Sequence, residues 1–120
     1  MRLLAATAFG LALLGGSSAA AQTEPARPGD PEAGAKLYKQ FCRGCHGADG
    51  RGGGHTFMPH VDRLTRKGYI DLLPDEHLVA VITEGGAAHG MSSYMPAWGD
   101  RLSPDEIRDI VAHIRRFPLH

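Results

Sequence analysis

Hydrophobic residues recur at helical spacing in three segments of the chain, residues 31–41, 74–84 and 104–117. Their apolar faces comprise Gly34, Leu37, Tyr38 and Phe41 in the first segment, Leu78, Val81 and Ile82 in the second, and Ile107, Ile110, Val111, Ile114 and Phe117 in the third. No stretch of useful length alternates apolar and polar residues in the way a half-buried strand does. The pattern therefore predicts an all-α domain with three main helices.

Capping residues support the first and third helices. Asp30 stands at the N-cap position before Pro31, a favoured residue for the first helical position. Ser103 and Glu106 have the spacing of a capping box, and Pro118 ends the apolar pattern that follows them. These signals predict where the two helices begin.

Two long glycine-rich segments, residues 47–73 and 85–101, separate the helices. Loops of this length are uncommon in a compact domain unless they have a function. Three helices joined by such loops cannot fill a core by themselves. The pattern therefore indicates that something other than side chains completes the interior.

The first 21 residues have the pattern of a secretory signal peptide, with a charged start, an apolar run over residues 3–14 and a small-residue site that ends at Ala21. The apolar run is shorter than the roughly 20 residues that a spanning helix needs. We therefore expect residues 1–21 to be removed after export to the periplasm, leaving no transmembrane span. Residues 22–29 are then a flexible leader, and residues 30–120 form the domain.

The charge balance does not favour nucleic acid as a partner. Removing Arg2 from the 13 basic residues leaves 12 against 13 acidic residues, a formal charge of −1. Proteins that bind nucleic acid or anionic membranes usually carry a basic excess. The charge is uneven, since residues 43–67 sum to +3 and residues 68–110 to −6. Such a dipole can orient the molecule in an encounter with another protein.

The two cysteines of the chain, Cys42 and Cys45, lie three positions apart in the stretch FCRGCHG, and His46 follows the second. On a helical turn, two thiols at this spacing project to one side and can bond to the two vinyl groups of a haem. The histidine behind them can ligate the iron from one face. The motif therefore predicts one haem c per chain, with Cys42 and Cys45 as thioether anchors and His46 as the proximal iron ligand.

Other uses of the two cysteines fit the sequence less well. A structural zinc site needs four ligands, and the chain has no further cysteine. A thioredoxin-like dithiol belongs to a βαβ context, which the pattern does not predict. A disulfide across two intervening residues would restrain almost nothing and would leave the long loops unexplained.

The sixth position of the iron has several candidate ligands. They are Met58, Met91, Met95, His55, His60, His77, His89, His113 and His120. His77 and His113 fall on predicted helices and are expected to face solvent. A methionine sulfur is soft and neutral, so it favours reduced iron and raises the potential.

Three motifs, GAKLYKQFCRGCHG, MPAWGDRL and SPDEIRDIVAHIRRF, together resemble the class I cytochrome c family in its bacterial single-haem form. The resemblance covers nearly all of residues 30–117. It implies a cytochrome c fold in which three main helices and long loops wrap one covalently bound haem. It also implies that Met95 is the distal iron ligand, with Met91 and His89 as alternatives.

The resemblance implies two further contacts. Gly34 and Tyr38 on the first helix would cross the last helix at residues 110–114. The carbonyl of Pro59 would accept a hydrogen bond from His46, in the manner of other metal-bound histidines.

As to function, the resemblance implies a periplasmic electron carrier that is not an enzyme. Its partners would be redox proteins such as a periplasmic dehydrogenase, oxidase or reductase. Two alternatives stay open. One is a cytochrome c subunit of a larger dehydrogenase or oxidase complex, and the other is a haem enzyme or gas sensor with an open sixth iron position.

Overall fold

The computed structural model describes residues 7–13, 15–16, 26–53 and 61–120. Within these ranges it contains four α-helices, α1 (Pro31–Phe41), α2 (Arg43–His46), α3 (Asp75–Glu84) and α4 (Pro104–Ile114), and no strand. Since α2 is a single turn, the prediction of an all-α domain with three main helices is confirmed. No helix in the described part of the chain is long and apolar enough to span a bilayer. Much of the predicted signal peptide and leader lies outside the described residues.

The predicted caps form. The Asp30 side chain accepts from the backbone N–H groups of Glu32 and Ala33 at the start of α1. At the start of α4, Ser103 Oγ accepts from the Glu106 N–H at 3.1 Å, and Glu106 Oε1 accepts from the Ser103 N–H at 3.0 Å. Both helices therefore begin where the sequence predicts.

Helix α4 ends at Ile114, three residues before the end of its apolar pattern. The reason is a change in hydrogen bonding after residue 114. The Arg116 N–H bonds the His113 carbonyl and the Phe117 N–H bonds the Ile114 carbonyl, so the chain tightens to three-residue spacing. Phe117 still reaches the core from this tighter turn.

Helices α1 and α4 cross backbone to backbone at Gly34. A Cβ atom on Gly34 would lie 1.8 Å from the Asp109 carbonyl oxygen, so only glycine permits this approach. One turn along α1, the Tyr38 ring packs against His113, with ring centroids 5.0 Å apart, and against Phe117 at 5.3 Å. The expected crossing is present, with its closest point at Asp109, one residue before the expected range.

The expectation that His113 faces solvent is wrong. Its ring is half-buried between Tyr38 and Phe117. His113 lies three residues after Ile110 and four before Phe117, at the edge of the apolar face of α4. Because α1 crosses over that edge, the histidine is covered. Burial, with the charge of Arg116, lowers the pKa of the imidazole.

The hydrophobic core lies between the three long helices and the segment before α3. Its buried residues are Tyr38, Ile70, Leu78, Ile82, Leu102, Ile107, Ile110, Val111 and Ile114. Each long helix contributes buried residues from the face that its periodicity predicts, and Leu102 comes from the segment just before α4. Ile70 comes instead from a single 3₁₀ turn, Ile70–Leu72, in a segment without helical periodicity.

A buried carboxylate ties the segment before α1 to α4. Asp109 is only 3% exposed and accepts hydrogen bonds from the two terminal guanidinium nitrogens of Arg27, at 2.8 and 3.0 Å, and from the Asp30 N–H at 2.8 Å. The hydrogen bonds from Arg27 hold the pKa of Asp109 below its usual range, although burial opposes this shift. The charge of Asp109 therefore stabilises the packing of α1 on α4.

Replacing Gly34 should separate the two helices. We expect Gly34→Ala to lower the free energy of unfolding by at least about 2 kcal/mol, because the new methyl group cannot fit beside the Asp109 carbonyl. Denaturant unfolding of the holoprotein measures this. The control Gln40→Ala, at an exposed position of α1, should change stability by less than about 0.5 kcal/mol. Equal losses in the two variants would contradict the prediction.

The Asp109 carboxylate should make stability depend on pH. Since its folded pKa is depressed, its contribution is complete above the unfolded pKa of about 3.9 and is lost as pH falls through the folded pKa. We expect Asp109→Asn to lower the free energy of unfolding by about 1–3 kcal/mol near neutral pH. The difference in unfolding free energy between this variant and the unchanged protein should become smaller below about pH 4. Urea unfolding between pH 3 and 7, with exposed Asp100→Asn as control, tests this, and a gap that is independent of pH would contradict it.

Candidate cofactor site

The CxxCH motif forms one helical turn directly after α1. Cys42 is the last residue of the α1 ladder, since its N–H bonds the Tyr38 carbonyl at 2.9 Å. Its own carbonyl accepts from the N–H groups of Cys45, at 3.2 Å, and His46, at 3.0 Å. Gly47 ends the turn at φ +77°, a conformation that favours glycine. Both cysteines and the histidine are therefore placed by the end of α1.

A largely apolar cavity lies against this turn. Cys42 and His46 contribute to its wall, together with Ile82 of α3 and Ile110 of α4. Apolar side chains make up nearly all of its wall, as is usual in sites that bind small molecules and cofactors. This cavity is the part of the interior that, as the sequence pattern indicated, side chains do not fill.

Two methionines reach the same cavity from the loop between α3 and α4. Met95 is half-buried and Met91 is 40% exposed, and both line the wall. Gly86 anchors the loop, since its N–H bonds the Met95 carbonyl at 3.0 Å and its carbonyl accepts the Met91 N–H at 2.9 Å. A Cβ on Gly86 would lie 2.2 Å from the Ser92 carbonyl oxygen, so the loop closes only around glycine.

The other candidate iron ligands differ in their position relative to the cavity. His89 does not line the cavity as the described residues define it, and its Nε2 lies 2.7 Å from Glu84 Oε2. His77, expected to face solvent, instead lines the cavity, because it lies one turn before Val81 on the face that α3 turns inward. His120 lies within the described residues but does not line this cavity, and its Nε2 lies 2.5 Å from Arg51 NH2. The candidates Met58, His55 and His60, and the carbonyl of Pro59, lie outside the described residues.

The Cys42 thiol is held in its neutral form. Burial raises its pKa to about 12, and the neighbouring Cys45 adds to the effect. Dithiol exchange needs a thiolate, so this environment does not favour a thioredoxin-like role. Among the described residues, no group of three or more His, Cys, Asp and Glu side chains is arranged to hold a metal ion.

The environment of His46 suits an iron ligand. Burial lowers the pKa of its imidazole, while the backbone and charge of Asp62 oppose the shift. The neutral imidazole is the form that binds metals. Its Nδ1 is buried and has no hydrogen-bond partner in the described part of the chain. This buried imidazole lies beside an apolar cavity that Met91 and Met95 also line. Such surroundings fit a haem.

Tyr38 supports the same turn. Its hydroxyl donates to the Gly47 carbonyl at 2.7 Å, and its ring forms part of the cavity wall. Burial raises the pKa of the phenol, so the hydroxyl stays protonated and keeps this bond. The sequence predicted Tyr38 as a contact between helices but not as part of the site.

Sequence reasoning also missed the wall formed before α3. Leu64, Ile70 and Leu73 line the cavity although they belong to a stretch without helical periodicity. Their only signal was that they are isolated apolar residues in a polar, glycine-containing loop.

Comparison with known proteins identifies the fold. A family model described as cytochrome c oxidase, cbb3-type, subunit III matches residues 29–114. The cbb3-type cytochrome c oxidase subunit FixP of Bradyrhizobium sp. (strain ORS 278) is 33% identical over 91 residues, which are 75% of this chain and 29% of FixP. This chain thus spans less than a third of the length of that relative.

Two further proteins are similar over more of their length. Chloroplastic cytochrome c6 of Chlamydomonas reinhardtii is 31% identical over 114 residues, 92% of this chain and 66% of that protein. The solved structure of the KustC0563 c-type cytochrome has a TM-score of 0.60 and 26% identity, and the match covers 71% of this chain and 96% of that one. The fold agrees with that of the solved c-type cytochrome. The chain belongs to the family of cytochrome c oxidase, cbb3-type, subunit III, and is a class I c-type cytochrome that carries covalently bound haem c.

Proposed function

We propose that this protein is a periplasmic electron carrier in which the haem is attached to Cys42 and Cys45 and its iron is ligated by His46 and Met95. The observation that carries the proposal is that His46 and Met95, 49 residues apart in the sequence, line one apolar cavity. The haem supplies an iron that gains and loses one electron. No bond in a substrate needs to be made or broken.

The surrounding residues adjust that iron for electron transfer. His46 is held neutral by burial and presents an imidazole ready to ligate. Met95 contributes a neutral thioether, which favours the reduced iron and raises the potential. The apolar walls from α3 and α4 exclude water. The additional positive charge of the oxidised haem is therefore less stabilised by solvent.

Met95 fits the distal role better than its alternatives. Its side chain is half-buried and packs against the core, whereas Met91 is 40% exposed. His89 is engaged by Glu84. A ligand held in a packed environment keeps its position when the iron changes oxidation state. With two protein ligands the iron has no open position, so the proposed carrier is not an enzyme.

Export to the periplasm is supported by the signal-peptide pattern in residues 1–21. The partner is a redox protein. The FixP relatives are named as subunits of a cbb3-type cytochrome c oxidase, which supports an oxidase as one such partner. A cytochrome c subunit of a larger oxidase complex is the second candidate function, favoured by the family match over residues 29–114.

The attachment of haem is tested by expressing the full chain with c-type maturation machinery. We expect one haem mass on the peptide that contains both cysteines, together with a c-type visible spectrum that changes on reduction. Cys42→Ala should leave at most one thioether bond and lower the yield of holoprotein. A mature protein without covalent haem would contradict the whole assignment.

The distal ligand is tested by two methionine variants. We expect Met95→Ala to abolish the sulfur-to-iron charge-transfer band of the oxidised protein and to lower the potential on the order of 0.1 V, since axial ligands set haem potentials over about 0.8 V. Met91→Ala is the matched control and should retain the band. Loss of the band in Met91→Ala alone would transfer the role to Met91. Rapid carbon monoxide binding by the unchanged reduced protein would instead favour the open-site enzyme or sensor.

A further inference from the structure

One wall of the haem cavity is a short segment with little regular structure of its own. Residues 70–73, here called the wall segment, contain the single 3₁₀ turn Ile70–Leu72. Ile70 is 4% exposed and lines the cavity with half-buried Leu73, while Leu72 between them is 75% exposed. A single turn does not hold itself in place, because its few hydrogen bonds do not offset the ordering of its backbone. An outside contact must therefore hold the wall segment.

Arg115, immediately after α4, makes that contact. Its NH1 donates to the Ile70 carbonyl at 2.6 Å and its NH2 to the Leu73 carbonyl. Its Nε donates to Asp75 Oδ1 at 2.7 Å. All three nitrogens of the guanidinium are used, and the side chain is 28% exposed. One side chain thus bonds both ends of the wall segment and the first residue of α3.

This set of three hydrogen bonds requires an arginine side chain. Its planar guanidinium presents several donors in a fixed arrangement, whereas the lysine ammonium is a compact charge on a flexible stem. Hydrogen bonds from a charged donor contribute more to stability than neutral ones. Arg115 also lies at the carboxyl end of α4, where the helix dipole favours a cation.

We propose that Arg115 is a positioning residue that holds the wall segment closed over the haem cavity and so limits the entry of water and exogenous ligands. It acts through Ile70 and Leu73, which face the cavity, and not by touching the iron. The inference deepens the proposed electron-carrier function and rests on it. Because the oxidised haem carries more positive charge, water admitted by an open wall stabilises that form and lowers the potential.

Lysine at position 115 tests the proposal, and the adjacent arginine provides the control. Arg116 donates to Glu32 Oε1 at 2.8 Å on an exposed surface and makes no contact with the wall segment among the described residues. In the oxidised holoprotein, Arg115→Lys should bind added imidazole roughly tenfold faster, because losing one charged hydrogen bond shifts a local opening equilibrium by about that factor. Its potential should fall. Arg116→Lys should change neither value.

A third variant separates the parts of the contact. Asp75→Asn removes the carboxylate partner and keeps both carbonyl bonds. It should therefore have a smaller effect on imidazole binding than Arg115→Lys. Hydrogen exchange of the unchanged holoprotein gives an independent measurement if Arg115→Lys does not accumulate. The amides of Ile70 and Leu73 should then exchange far more slowly than those of the exposed Arg51 and Gly53.

The outcomes are distinct. A fall in melting temperature for Arg115→Lys with unchanged potential and imidazole rate would overturn the proposal, as would equal changes in Arg116→Lys. Rapid exchange of the Ile70 and Leu73 amides would also overturn it. Failure of the proposed function gives a different result, since an iron with an open sixth position would bind imidazole rapidly in the unchanged protein.

Discussion

Helices α1 and α4 meet backbone to backbone at Gly34, and the placement of the CxxCH turn follows from this contact. The turn that carries Cys42, Cys45 and His46 continues directly from α1, so the crossing of α1 on α4 sets its position. Tyr38 strengthens the link, because its ring packs against α4 while its hydroxyl bonds the end of the turn at Gly47. The buried Asp109 holds the same crossing from the other side.

The rest of the cavity is built by parts of the chain that have little structure alone. The loop between α3 and α4 that carries Met91 and Met95 closes around Gly86, and the wall segment is bonded to Arg115 at the end of α4. The first loop is closed by hydrogen bonds within itself, whereas the wall segment is held by a residue 45 positions away from Ile70 in the sequence. This arrangement suits a protein whose interior is completed by a cofactor, because loops need to follow the surface of the group that they enclose.

The electrostatics of the site agree with electron transfer. Burial keeps the His46 imidazole neutral, and a cysteine bonded to haem as a thioether carries no charge, so these groups add no fixed negative charge to the apolar pocket. The proposed ligands, one imidazole and one thioether, are both neutral. Burial from water is one of the factors that set a haem potential. The proposed role of Arg115 rests on this factor, because the side chain acts through the wall segment.

Much of this protein follows from its sequence, because periodicity, caps and the CxxCH spacing are local signals. They predicted the three long helices, the capping box at Ser103 and the haem-binding turn. Only the tertiary structure decided which side chains the helices cover. It showed His77 lining the cavity and His113 between two rings, and it distinguished Met95 from His89 by their surroundings. It also revealed the roles of Ile70, Leu73 and Arg115. Most of these contacts join residues tens of positions apart, so they arise from packing and leave no local signal.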